Sequence, residues 1–160
     1  MGEKGENMQR VFGALVVVLV ACALIPGAAA AQTAVANGGG RGTADGVHPF
    51  SQFGFGVTRS ADGTVQGHFN CLMAGASRFP GFTLMAVRGR VTSATIGALA
   101  ASFDGVGMLQ TGNQGKFPAT FHFEVTAGGP GVGTLHLTLL TPFVFDLPTE
   151  HVLNGQISIH

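Results

Sequence analysis

Ser51-Gln52-Phe53-Gly54-Phe55-Gly56-Val57-Thr58-Arg59 and Val65-Gln66-Gly67-His68-Phe69-Asn70-Cys71-Leu72-Met73, joined by Ser60-Ala61-Asp62-Gly63-Thr64, decide the fold of this chain. In the first run Phe53, Phe55 and Val57 alternate with Gln52, Gly54, Gly56 and Thr58; in the second, Val65, Phe69, Cys71 and Met73 alternate with Gln66, His68 and Asn70. A period of two is the mark of a strand with one buried face. The two apolar faces coincide only if Ser60 stands opposite Thr64, Val57 opposite Gly67, Phe55 opposite Phe69 and Phe53 opposite Cys71. That register leaves Ala61-Asp62-Gly63 as the loop, and a loop of this length needs a positive φ at its last position, which Gly63 adopts without steric cost.

The same alternation recurs downstream. Met85, Val87, Gly89 and Val91 oppose Arg88, Arg90 and Thr92, with a bend expected at Gly89. Leu99, Ala101, Phe103, Gly105, Gly107 and Leu109 oppose Ser102 and Asp104, and Phe117, Ala119, Phe121, Phe123 and Val125 oppose Thr120, His122, Glu124 and Thr126. Pro118 suits an early or edge position in its strand. Residues 134–139 alternate again, and Leu153, Gly155, Ile157 and Ile159 oppose Asn154, Gln156, Ser158 and His160. Turn clusters rich in Gly or Pro at 75–81, 111–115 and 127–132 separate these runs. The connection 141–152, with Phe143, Val144, Phe145 and Leu147, is apolar enough to be expected over an open end of the core.

About eight short strands and no amphipathic helical window predict an all-β antiparallel meander. Pairing a weak first strand near 40–44 with the last strand would remove both sheet edges, so a small closed or nearly closed β-barrel is predicted, with a sandwich as the alternative. The expected core is Phe53, Phe55, Phe69, Val87, Val91, Phe103, Phe121, Phe123, Leu135, Leu137, Ile157 and Ile159.

The N-terminal part is set apart. Residues 1–10 are polar and carry Lys4 and Arg10, 11–25 are almost wholly apolar, Pro26-Gly27 breaks any helix, and small residues 28–31 precede Gln32. This order predicts a signal peptide over 1–31, cleaved after Ala31, and hence a secreted or extracytoplasmic protein with no membrane span after processing. Leu19-Val20-Ala21-Cys22 resembles a bacterial lipobox, which leaves a lipoprotein anchored through Cys22 as the alternative. Residues 32–46 then read as a Gly-rich leader passing into the weak first strand, and 47–160 as a single domain.

Composition narrows the partners. Beyond residue 31, Arg41, Arg59, Arg78, Arg88, Arg90 and Lys116 are balanced by Asp45, Asp62, Asp104, Glu124, Asp146 and Glu150, so there is no basic stripe for nucleic acid. Trp and Tyr are absent while Phe numbers 13, which disfavours the aromatic platforms that stack sugars. With Cys22 removed, Cys71 has no disulfide partner and reads as a small buried hydrophobe on the Phe69 face.

The signal peptide, the Gly38-Gly39-Gly40 start, the Phe55-Gly56-Val57-Thr58 to Gly67-His68 hairpin, Val87-Arg88-Gly89-Arg90-Val91-Thr92-Ser93 and the ending Leu153-Asn154-Gly155-Gln156-Ile157-Ser158-Ile159-His160 resemble a group of small secreted bacterial β proteins labelled post-COAP-domain or hypothetical proteins. The resemblance implies a β fold and export. It implies no reaction and supplies no catalytic residue.

No nucleophile elbow, phosphate-cradling loop, Cys-x-x-Cys pair or dinucleotide fingerprint occurs, and no catalytic residue or cofactor is assigned. His68, His122, His136 and His160 fall on the polar parity with Gln66, Asn70, Glu124 and Gln156, as they would on a solvated sheet face. Within this set His122, Glu124 and His136 are the speculative metal ligands: pairing Thr126 with Val132 sets His122 opposite His136, whereas pairing Thr126 with Thr134 sets Glu124 opposite His136. The expected function is a non-catalytic binding or structural module of the cell envelope or extracellular space, meeting a small apolar ligand or a protein. An outer-membrane β-barrel and a metal-dependent enzyme using the polar-face histidines are the alternatives.

Overall fold

The computed structural model describes residues 32–74, 84–112 and 114–160; the expected signal segment with Cys22, and the 75–81 turn, lie outside the described residues. The strands are β1 (Ala34–Thr43), β2 (Ser51–Arg59), β3 (Val65–Ala74), β4 (Leu84–Ile96), β5 (Ala100–Thr111), β6 (Gly115–Thr126), β7 (Thr134–Thr141), β8 (Phe145–Asp146) and β9 (Glu150–Ile159). They form one antiparallel sheet in the order β6-β5-β4-β3-β2-β1-β9-β7-β8, and β6 also pairs with β7, so the sheet closes into a ring. The all-β meander and its closure through the first and last strands are as expected.

The β2–β3 hairpin has the predicted register, with Phe53 opposite Cys71, Phe55 opposite Phe69 and Val57 opposite Gly67. Its loop is closed by hydrogen bonds from Ser60 N–H to Thr64 O (2.9 Å) and Gly63 N–H to Ser60 O (2.9 Å), and Gly63 takes φ +87°. β1 is longer than the expected 40–44 segment and starts at Ala34. It is paired along both edges, from Ala34↔Arg59 to Gly42↔Ser51 with β2 and from Ala36↔Ile159 to Thr43↔His151 with β9. Hydrogen bonding on both sides holds a Gly-rich run extended where side-chain propensity alone would not.

Local register shifts correct the expected parity. Gly89 stays in regular pairing with Phe69 and Gly107; the irregularity lies between Val91 and Ser93, where Thr92 is the extra residue. Beyond it Ala94 and Ile96 turn toward the core and Ser93 turns outward, opposite Asp104. In β9 the partners of Arg41 and Gly42 jump from Asn154 to Val152, making Leu153 the extra residue. The inward set of β9 is therefore Ile157, Val152 and Glu150 in place of a parity running back through Leu153. An extra residue in one strand flips everything on its far side to the other face.

The predicted core residues are buried, except that Ile159 packs at its margin half-buried. Rings from opposite walls meet in the middle: Phe69 stacks on Phe123 at 4.2 Å between centroids and Phe55 meets Phe123 edge-on at 5.5 Å, while Phe103 stacks on Phe123, its partner on the adjacent strand, at 4.6 Å. These rings fit because neighbouring inward positions are glycine. A Cβ on Gly38 would stand 2.7 Å from Phe55 Cε1, one on Gly89 2.7 Å from Phe121 Cε1, and one on Gly105 would overlap the Phe121 ring. The 141–152 connection covers the core only in part. Leu147 is buried with its N–H on Leu137 O (3.1 Å), and Phe145 pairs with Leu139, but Phe143 and Val144 are exposed. The β7–β9 seam is short, Thr134↔His151 and Leu135↔Glu150. The β6–β7 turn completes it through Gly128↔Ile157 and Val152 N–H to Gly133 O (2.8 Å).

If Phe121 depends on the empty space at Gly105, Gly105→Ala costs about 1–3 kcal/mol by overpacking, and Phe121→Ala about 3–5 kcal/mol by cavity formation. In the Phe121→Ala background the part of the Gly105→Ala cost that comes from the ring should vanish, leaving the part set by Arg90 O, which would stand 2.8 Å from the added Cβ, as measured by a double-mutant cycle in urea. Additive losses would show that the ring and the glycine are independent. Gly54→Ala, where nothing stands within 4 Å of the added Cβ, is the neutral control.

Candidate functional site

Of the two registers open for β6 and β7, the structure takes Thr126↔Thr134, which sets Glu124 opposite His136. The β5–β6 register adds Asp104 opposite His122. A string of alternating carboxylates and imidazoles results on the outer face. Asp104 Oδ1 stands 2.7 Å from His122 Nδ1, His122 Nε2 3.6 Å from Glu124 Oε1, Glu124 Oε2 3.9 Å from His136 Nδ1, and His136 Nε2 2.8 Å from Asp146 Oδ1. Both nitrogens of both rings thus face a carboxylate. The ends are anchored by hydroxyls: Ser93 donates to Asp104 Oδ2 (2.6 Å) and Thr138 to Asp146 Oδ1 (3.0 Å).

His122, Glu124 and His136 are therefore neighbours, as expected from their shared face. Among the described residues, however, no three His, Cys, Asp or Glu side chains are grouped as ligands of one metal ion would be. Glu124 stands between the two imidazoles, turning one oxygen to each. His68 lies on β3 beside Arg90 of β4, and His160 follows β9 with its backbone on Val35, so neither joins the string. Asp104 was visible on the polar parity but needed the β5–β6 register to meet His122. Asp146 sits in a connector with no alternation, and no sequence signal marks it.

The string is hydrogen-bonded at its two ends, His122 to Asp104 and His136 to Asp146, and held at ion-pair distance through Glu124 in the middle. A protonated imidazole there has a carboxylate at each nitrogen, and the alternation of sign makes every neighbour attractive. Asp104 is held below its ordinary carboxylate value of 3.8 by the Ser93 hydroxyl and then by His122. A groove of about 390 Å³ runs beside it, lined by Ser102, Glu124, Thr126, Thr134, His136 and Thr149 among others.

A second polar group lies inside the ring. Glu150 is 1% exposed, and the Ser51 hydroxyl of β2 donates to its Oε2. To reach Ser51 the Glu150 side chain crosses Gly42 of β1, where any Cβ would collide with the carboxylate. Burial pushes Glu150 up to about 7, and the Ser51 bond offsets this only partly. Cys71 of β3 is nearby and fully buried. Desolvation, then the Glu150 carboxylate, raise its thiol far above the usual range, so it remains protonated and inert. Sequence reasoning missed Glu150 because the parity of Leu153 to Ile159 carries residue 150 to the outside. A polar Ser51 on the Phe53 parity was the signal available.

Comparison with family models finds none that matches this chain, and no curated protein and no solved structure matches it either.

Two outcomes follow from this geometry. A carboxyl held low in the fold stabilises it above the ordinary carboxylate range, and that stability is lost as pH falls through the lower folded value. Asp104→Asn or Ser93→Ala should therefore flatten the fall in melting temperature below about pH 4 while changing neutral-pH stability little, since the pair is exposed. An unchanged acid limb would remove the string from the pH response. The Cys71 thiol should resist a thiol-reactive dye in the native protein at pH 8 and react on unfolding, as read by absorbance.

Proposed function

We propose that the protein is an exported, non-catalytic binding module that meets its ligand or partner on the outside of the ring. The observation that carries this reading is the filled interior. Phe55, Phe69, Phe103, Phe121 and Phe123 pack ring to ring inside, while the charged groups of β3 to β8 stand outward, and so do their hydroxyls apart from the buried Thr111 at the end of β5. A scaffold of this kind offers its outer strand face and loops for recognition, and the string beside its groove is the most differentiated part of that face.

An outer-membrane barrel requires apolar side chains outward and polar ones within. Here the inward parity is apolar, and the outward one includes Arg88, Arg90, Asp104, His122 and Glu124, which disfavours a lipid-facing wall. Export rests on the order of residues 1–31 and on the resemblance to small secreted bacterial β proteins.

Expression of the full chain in a bacterial host tests the reading. The expected product is extracytoplasmic, begins at Gln32 by intact mass, and stays in solution without detergent. A product that begins at a lipid-modified Cys22, or one that pellets with membranes and needs detergent, would overturn export as a free protein.

A further inference from the structure

We propose that Glu150 is a proton-operated latch on the seam that closes the ring. Ser51 donates to Glu150 across Gly42 and ties β9 to β2 over the intervening β1 in either protonation state; the neutral carboxyl is tolerated in this buried site, whereas the ionised one is a buried charge with one hydroxyl for a partner, so that opening of the seam, which solvates it, is favoured. The inference is independent of what the outer face binds.

The geometry carries it. The ring is closed where β1 meets β9 and β9 meets β7, and the latter contact is only Thr134↔His151 and Leu135↔Glu150 with the β6–β7 turn beside it. Glu150 opens β9 at that junction and faces inward because Leu153 is an extra residue in the β1 pairing. Gly42 admits the side chain, and any larger residue there would displace the carboxylate from Ser51.

The groups around the carboxylate leave it without a counter-charge. Ser51 of β2, Gly42 of β1 and Leu135 of β7 are uncharged, and Cys71 of β3 is a neutral thiol, raised first by burial and then by the like sign of Glu150. His151 lies next in the chain but is exposed, and Asp45 is exposed in the loop after β1, where it bonds Thr43 and His48. The causes that shift Glu150 are burial and Ser51 alone. A buried carboxylate with a single hydroxyl pays desolvation on ionisation that one hydrogen bond does not return.

The direction with pH follows from linkage. In the opened seam Glu150 titrates at its ordinary 4.5, and in the closed seam at about 7. Below the lower value it is protonated in both states and the seam has its full closure. As pH rises from there through the upper value the opened state loses its proton first, so closure weakens; above the upper value the effect levels off.

Hydrogen exchange of the exported protein at pH 5 and 8, expressed as protection factors so that the intrinsic pH effect is removed, reads this directly. The reporter is the Val152 amide, bonded to Gly133 O across the seam, and amides of β5 and β6 are the internal reference. Val152 protection should fall on the order of 100-fold between the two pH values, the reference amides should fall far less, and Glu150→Gln should hold Val152 protection constant. A fall of less than tenfold, an equal loss at all amides, or a pH dependence that survives in Glu150→Gln would overturn the latch. Should that variant not fold, the side-chain carboxyl carbon of Glu150 in the unsubstituted protein decides by NMR. A titration midpoint above about 6 upholds the latch and one below it overturns it.

Discussion

Phenylalanine lying over glycine is the constraint on which the rest of this structure depends. The chain has no Trp or Tyr, so the large inward volumes are supplied by Phe, and each ring needs room on the neighbouring wall. Gly38 provides it for Phe55, and Gly89 with Gly105 provide it for Phe121. With the rings accommodated, Phe69 stacks on Phe123 across the interior, Phe103 stacks on Phe123 from the adjacent strand, and the small ring closes around them. A closed sheet this tight has little tolerance for added inward volume, because close-packed interiors transmit misfit rather than absorb it.

The departures from regular pairing build both polar groups. Thr92, the extra residue of β4, turns Ser93 outward opposite Asp104, where its hydroxyl anchors one end of the string. Leu153, the extra residue of β9, turns Glu150 inward against Ser51. Each is a one-residue insertion that re-aims a side chain, which is a recurrent use of irregularity in sheets. The two groups respond to protons in opposite senses. Asp104, lowered by Ser93 and His122, favours the fold when ionised, while Glu150, raised by burial, favours it when protonated.

The alternating string and the buried glutamate also divide the chemistry by dielectric. On the outer face, water screens the pairs, so the string contributes orientation of the two imidazoles more than stability. Inside, one carboxylate with one hydroxyl outweighs several exposed pairs, because little solvent is present to share the charge.

The sequence by itself determined which residues face inward over most of the strands, the β2–β3 register and its Gly63 loop, and the closure of first strand on last. The inward parity and the hairpin follow from a period of two and from local turn chemistry, which act between near neighbours, and the closure follows from the advantage of leaving no free sheet edge. It also brought His122, Glu124 and His136 to one face and left two registers open between them. Only the tertiary structure chose Glu124 opposite His136, added Asp104 and Asp146, lengthened β1 by pairing both its edges, and turned Glu150 inward. Those outcomes depend on an extra residue in one strand and on contacts between distant segments. Alternation cannot register an insertion until its partner strand is in place, and so the buried carboxylate was legible only once the ring had closed.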